Sequence, residues 1–83
     1  MASQAFTEND LRTLLLAVGA DPGIGSADYG RSFTDLDLDS LARTEIATRI
    51  QDRYGVEVEP RLDADSTPES LRSLVNDLAA ANS

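Results

Sequence analysis

The sequence predicts an all-α protein: a small bundle of three to four helices with one long crossover loop between helices 1 and 2. Three observations carry that expectation. Apolar residues recur at helical spacing in three separate stretches, through Leu11, through Ile46 and through Leu71. Each stretch opens beside a residue type that caps helix N-termini, and the first two close on Gly19 and Gly55. Val56-Glu57-Val58 alternates like a strand, but three residues alone build no sheet. With no internal repeat and no linker, residues 1–83 are expected to form a single domain.

Thr7 is placed to cap the first helix, with Glu8 and Asp10 at the positive end of its dipole. Leu11, Leu14, Leu15 and Val18 form its apolar stripe, Phe6 is set to staple onto the first turn, and Gly19 ends it. From Ala20 to about Phe33, the residues Pro22, Gly23, Gly25, Ser26 and Gly30 break regular structure. A long loop is expected there, pinned to the core by Ile24, Tyr29 and Phe33. The second helix is expected from Ser40 to Tyr54, a rod about 22 Å long. Its inner face takes Leu41 or Ala42, then Ile46, Ala47, Ile50 and Tyr54. Arg43, Glu45, Arg49, Asp52 and Arg53 face outward, and Gly55 supplies a left-handed stop.

Val56-Glu57-Val58 is expected to be an extended connector that buries both valines. Pro60 to Asp65 has room for one short helical turn, with Leu62 inward. Thr67, Pro68 and Glu69 announce the last helix as cap, first helical residue and dipole partner. Its stripe is Leu71, Leu74, Val75 and Leu78, and residues 79–83 are expected to fray.

Composition narrows the function. Fifteen Asp and Glu stand against seven basic residues, all arginine, for a net charge of −8. Such a surface repels nucleic acid and anionic lipid and suits basic protein partners. Cysteine and histidine are both absent. That removes disulfides, thiolate nucleophiles, zinc sites built on Cys or His, and any Ser–His pair. The N-terminus has no basic region leading into a long apolar run, so no signal peptide is expected. No window approaches a membrane span. The expectation is a cytoplasmic monomer, too small for a deep active site.

The densest run of chemistry-bearing residues is Asp35-Leu36-Asp37-Leu38-Asp39-Ser40-Leu41, followed by Glu45. Its commonest meaning is structural: Asp39 or Ser40 caps the second helix and the other aspartates favour its dipole. As a calcium loop it copies three EF-hand ligands and then fails. Ser40 stands where glycine makes the turn, and Ile46 where a bidentate glutamate closes the site. Asp63-x-Asp65-x-Thr67 fails in the same way, at Pro68 and Leu74. As a nucleophile, Ser40 has no histidine or lysine to activate it, so no catalytic residue and no metal site is assigned. A hydroxyl at a helix N-terminus does lie where unpaired N–H groups and the dipole favour a phosphate ester.

Asp39-Ser40-Leu41, with Glu45 five residues after the serine, resembles the Asp-Ser-Leu motif of acyl carrier proteins. The likeness extends to Tyr54-Gly55-Val56-Glu57-Val58 and to the Thr67-Pro68 start of the last helix. With the first helix included it covers about Thr7 to Leu78. The Arg53-Tyr54-Gly55-Val56 ending and the free-standing length look most like discrete carriers of type II (aromatic) polyketide synthases.

The resemblance implies a non-catalytic carrier. In that reading Ser40 takes 4′-phosphopantetheine through a phosphodiester, attached by a phosphopantetheinyl transferase, and acyl intermediates ride on the arm's thiol. Asp39 then helps orient the transferase and its metal, Leu41 is the apolar contact beside the arm, and Glu45 meets basic residues of partner enzymes. The partners implied are a malonyl transferase, a ketosynthase and tailoring enzymes, with neither nucleic acid nor membrane among them.

Two features depart from the family pattern. Asp37 stands where many relatives have glycine, and Arg43, Arg49 and Arg53 make the second helix less acidic than in fatty-acid carriers. The alternatives are a carrier of fatty-acyl or of aminoacyl and peptidyl groups, although peptidyl carriers usually show glycine or histidine in place of Asp39. From a different class, a cofactor-free acidic helical adaptor would bind a basic partner through the same surface.

Overall fold

Three α-helices form in the computed structural model, which describes residues 5–81: α1 (Glu8–Ala17), α2 (Ser40–Tyr54) and α3 (Pro68–Ala81). Short 3₁₀ turns lie at Ser26–Asp28 and Glu59–Arg61, and no strand forms among the described residues. Each helix packs against the other two, and the second turn packs against α2. None of these helices is long and apolar enough to cross a membrane.

Thr7 caps α1 reciprocally. Its hydroxyl accepts the Asp10 N–H at 3.1 Å while the Asp10 carboxylate accepts the Thr7 N–H at 3.2 Å, so two donors otherwise left unpaired are satisfied. At the other end Ala20 N–H reaches back to the Leu15 carbonyl at 2.9 Å and Gly19 N–H to Leu16 at 3.2 Å. This pair of bonds is a Schellman stop, and it needs the φ of +102° that Gly19 adopts.

Phe6 does more than a local staple. Its N–H donates to Asn76 Oδ1 at 2.9 Å, its carbonyl accepts from Asn76 Nδ2 at 3.1 Å, and its ring meets Tyr54 edge-on at 5.3 Å. The segment before α1 is thereby tied to both other helices.

The crossover loop is pinned as the sequence predicts, with Ile24, Tyr29 and Phe33 all buried. Its backbone is also held by contacts no local pattern announces. Arg12 donates from Nε to the Ile24 carbonyl at 3.1 Å and from Nη2 to Pro22 at 3.2 Å. Farther along, Phe33 N–H bonds to the Ser66 carbonyl at 2.9 Å, and Glu69 N–H to Tyr29 at 3.0 Å. The Thr34 N–H and hydroxyl both donate to the Ala64 carbonyl. A loop this long stays ordered because its polar backbone finds such partners.

In α2, Ile46, Ala47 and Ile50 are buried, and Gly55 ends the helix at φ +72° with one bond to the Gln51 carbonyl. Val56 and Val58 are both buried, as expected of the connector. The short turn begins at Glu59, one residue ahead of its expected place, and Leu62 is half-buried behind it. Thr67 accepts the Ser70 N–H at 3.0 Å at the start of α3. That helix runs on through Ala81 instead of fraying after Leu78, because Ala79 still packs on the core. Asn82 and Ser83 lie outside the described residues.

Candidate functional site

Residues 32–38 deliver the chain to α2 through one helical turn of their own. Leu38 N–H bonds to the Phe33 carbonyl at 2.8 Å and Asp37 N–H to Thr34 at 3.1 Å, the two bonds of a Schellman stop. Leu38 and Phe33, the apolar pair that accompanies this motif, are both buried. Asp37 occupies the left-handed position at φ +61°. The conformation that glycine would supply is therefore present, and an aspartate adopts it.

Asp39 follows with extended backbone and caps α2: Oδ1 accepts the Ala42 N–H at 3.0 Å and the carbonyl accepts the Arg43 N–H at 2.9 Å. Of the two possible caps, the structure uses Asp39. Ser40 becomes the first helical residue, and its hydroxyl is exposed and makes no hydrogen bond within the described residues. The amides of Ser40 and Leu41 likewise donate to nothing there. An exposed, uncommitted hydroxyl beside unpaired N–H groups fits a phosphodiester, which needs solvent and favours such donors.

Leu41 is 74% exposed, the sole large apolar side chain so placed among the described residues. Ala42, half-buried against the core, takes the inward position instead. Glu45 stands on the same face as Leu41, one turn on, with Arg49 at 4.0 Å. An exposed pair at that distance is worth under about 1 kcal/mol, so Glu45 stays available to a stronger cation.

Arg43 departs from the outward orientation expected of it. Its Nη1 turns back and donates to the Leu38 carbonyl at 3.3 Å, bracing the end of the loop against α2. A groove of about 200 Å³ opens beside Ser40, lined also by Arg43, Thr44, Glu59 and Leu62. Glu59 and Leu62 reach it from far along the chain, so no spacing within the motif reveals them. Asp35 and Asp37 take no part in it, and among the described residues no three His, Cys, Asp or Glu gather to hold a metal.

Residues 11–75 match the family model described as the phosphopantetheine attachment site. Comparison with curated proteins gives no match. Similar solved structures include three forms of the acyl carrier protein of the actinorhodin polyketide synthase from Streptomyces coelicolor. The 3,5-dioxohexyl form, a triketide mimic, is 28% identical with a TM-score of 0.81, covering 99% of this chain and 100% of that one. The 3,7-dioxo-octyl form is 35% identical with a TM-score of 0.70, covering 94% and 95%. The octanoyl form is 32% identical with a TM-score of 0.74, covering 99% and 100%. A family match across most of the chain, joined to a carrier 35% identical along 94% of it, leads to one conclusion: the chain belongs to the acyl carrier proteins, non-catalytic members of a family that holds 4′-phosphopantetheine covalently on a serine.

Proposed function

We propose that Ser40 is the serine that takes the arm, and that the protein carries polyketide intermediates on it as thioesters for the enzymes of a polyketide synthase. One observation carries the choice of serine. Six serines lie in the matched stretch, and Ser40 alone opens a full-length helix with an exposed, uncommitted hydroxyl. Ser32, Ser66 and Ser70 spend theirs on loop and cap hydrogen bonds. Ser26 opens a three-residue turn, and Ser73 sits inside α3. The likeness to actinorhodin carriers, two of them in dioxoacyl forms, supports a polyketide as the cargo.

The arm supplies a thiol to a chain that has no cysteine. The protein's own residues position and present it. Asp39, an exposed residue, holds the helix start with one carboxylate oxygen and has the other, unbonded among the described residues, free for a phosphopantetheinyl transferase and its metal. Leu41 offers an apolar contact beside the arm. Glu45 and the net charge of −8 attract basic faces of a malonyl transferase, a ketosynthase and tailoring enzymes, which raises association rates more than affinity. A shuttle benefits from that balance, since it must also release.

Incubation with coenzyme A and a promiscuous transferase, read by intact mass, tests the assignment. Wild type is expected to gain one phosphopantetheine, and Ser40→Ala none. A wild-type protein that gains no mass, or a Ser40→Ala protein that does, overturns it.

A further inference from the structure

Besides the Ser40 and Leu41 amides at the helix start, unpaired among the described residues, the groove beside Ser40 has few side-chain hydrogen-bond donors. The Thr44 hydroxyl donates to the Ser40 carbonyl at 2.9 Å, Glu59 offers acceptors only, and Leu62 is apolar. Arg43 remains, and it spends one of its five N–H groups, at Nη1, on the Leu38 carbonyl. No carboxylate pairs with it: the ion pairs among the described residues are Arg31–Asp28, Arg49–Glu45 and Arg72–Glu69. Arg43 is thus a half-buried cation, braced at one nitrogen, with Nε and Nη2 uncommitted. Residues three apart on a helix are neighbours, with Cβ atoms about 5–6 Å apart, and Ser40 and Arg43 line the same groove, so a group esterified to Ser40 Oγ enters the space that Arg43 borders. Arg49 and Arg53 sit roughly 14 and 20 Å along the axis, out of reach of the ester.

Resting on the assignment of Ser40, we propose that Arg43 holds the phosphodiester of the arm, donating its uncommitted N–H groups to the non-bridging phosphate oxygens. Guanidinium and phosphate match in a paired, charge-assisted geometry. The brace to Leu38 restricts the side chain in advance, so less rotamer freedom is lost when the phosphate is engaged. Arg43 is therefore a positioning residue: by holding the phosphate it restricts how the arm leaves the protein.

The test uses holo protein prepared as wild type, Arg43→Gln and Arg43→Lys, with loading checked by intact mass and folding by melting curves. Phosphorus-31 NMR reads the phosphodiester, and nitrogen-15-resolved spectra read the arginine Nε–Hε groups. On loading, the Arg43 Nε–Hε signal is expected to move while those of Arg49 and Arg53 stay. The phosphorus resonance of Arg43→Gln is expected to move from the wild-type position toward that of urea-unfolded holo protein, with Arg43→Lys between it and wild type. Raising salt to about 1 M, where the screening length is about 3 Å, moves the wild-type resonance the same way and leaves Arg43→Gln in place.

A phosphorus resonance that is the same in folded wild type and Arg43→Gln overturns the proposal. If Arg43→Gln does not fold, the apo-to-holo movement of the wild-type Arg43 signal decides, and no movement overturns it. Wild type that takes no arm sinks the Ser40 assignment and this inference together, whereas loading without the phosphorus shift sinks this inference alone.

Discussion

Asp37 sets how the chain turns into the helix that presents Ser40. A residue with a β-carbon in the left-handed region costs roughly 1–2 kcal/mol, less for aspartate, whose short polar side chain bonds locally. Glycine removes that strain but frees the unfolded chain by about 0.4–1 kcal/mol. The two effects nearly offset, so Asp37→Gly is expected to gain only about 0.5 kcal/mol, while a β-branched Asp37→Val loses about 1–2 kcal/mol. Urea midpoints at constant slope measure both. A glycine variant less stable than wild type would mean the aspartate side chain contributes more than its backbone costs.

At the scale of an element, the start of α1 has a titration built into it. The Thr7 N–H, donating to Asp10, holds that carboxyl below the usual aspartate value; partial burial opposes the shift, and the Thr7 hydroxyl and nearby Arg53 and Tyr54 reinforce it. A depressed folded pKa contributes stability that is present above the unfolded value, near 3.9, and is lost as pH falls through the folded one. Asp10→Asn is therefore expected to melt lower than wild type at pH 7, with the gap closing as pH drops below about 4. A gap that persists unchanged at pH 2.5 would assign the loss to packing around Asp10 instead. Burial first, and then Asp10, push the neighbouring Tyr54 hydroxyl above its ordinary value, so that ring stays neutral against Phe6 across the same range.

The whole molecule carries −8 on 83 residues, and its three ion pairs among the described residues all lie toward solvent. Exposed pairs contribute little, so salt has more repulsion to screen than attraction. Moving from about 0.01 M to about 0.15 M salt shortens the screening length from about 30 to about 8 Å, and the melting temperature is expected to rise. A fall on adding salt would show that the pairs outweigh the self-repulsion. With no histidine present, stability is expected to change little between about pH 6 and 8.

What the sequence determined by itself was local. Thr7 and Asp10 sit three residues apart, Gly19 and Gly55 stand where left-handed stops are required, and Thr67-Pro68 marks a helix start. These signals act within one or two turns of backbone, so the bounds of α2 and the place of Ser40 could be read from it. The tertiary structure decided whatever joins residues distant in sequence. Asn76 clasping Phe6, Arg12 gathering the loop carbonyls, and Glu59 and Leu62 walling the groove leave no periodic trace, because their spacing is set by how the helices pack. Even within the motif, the choice of Asp39 over Ser40 as cap and the backward turn of Arg43 depended on the direction from which the folded loop arrives. That direction frees the serine hydroxyl, and packing fixes it.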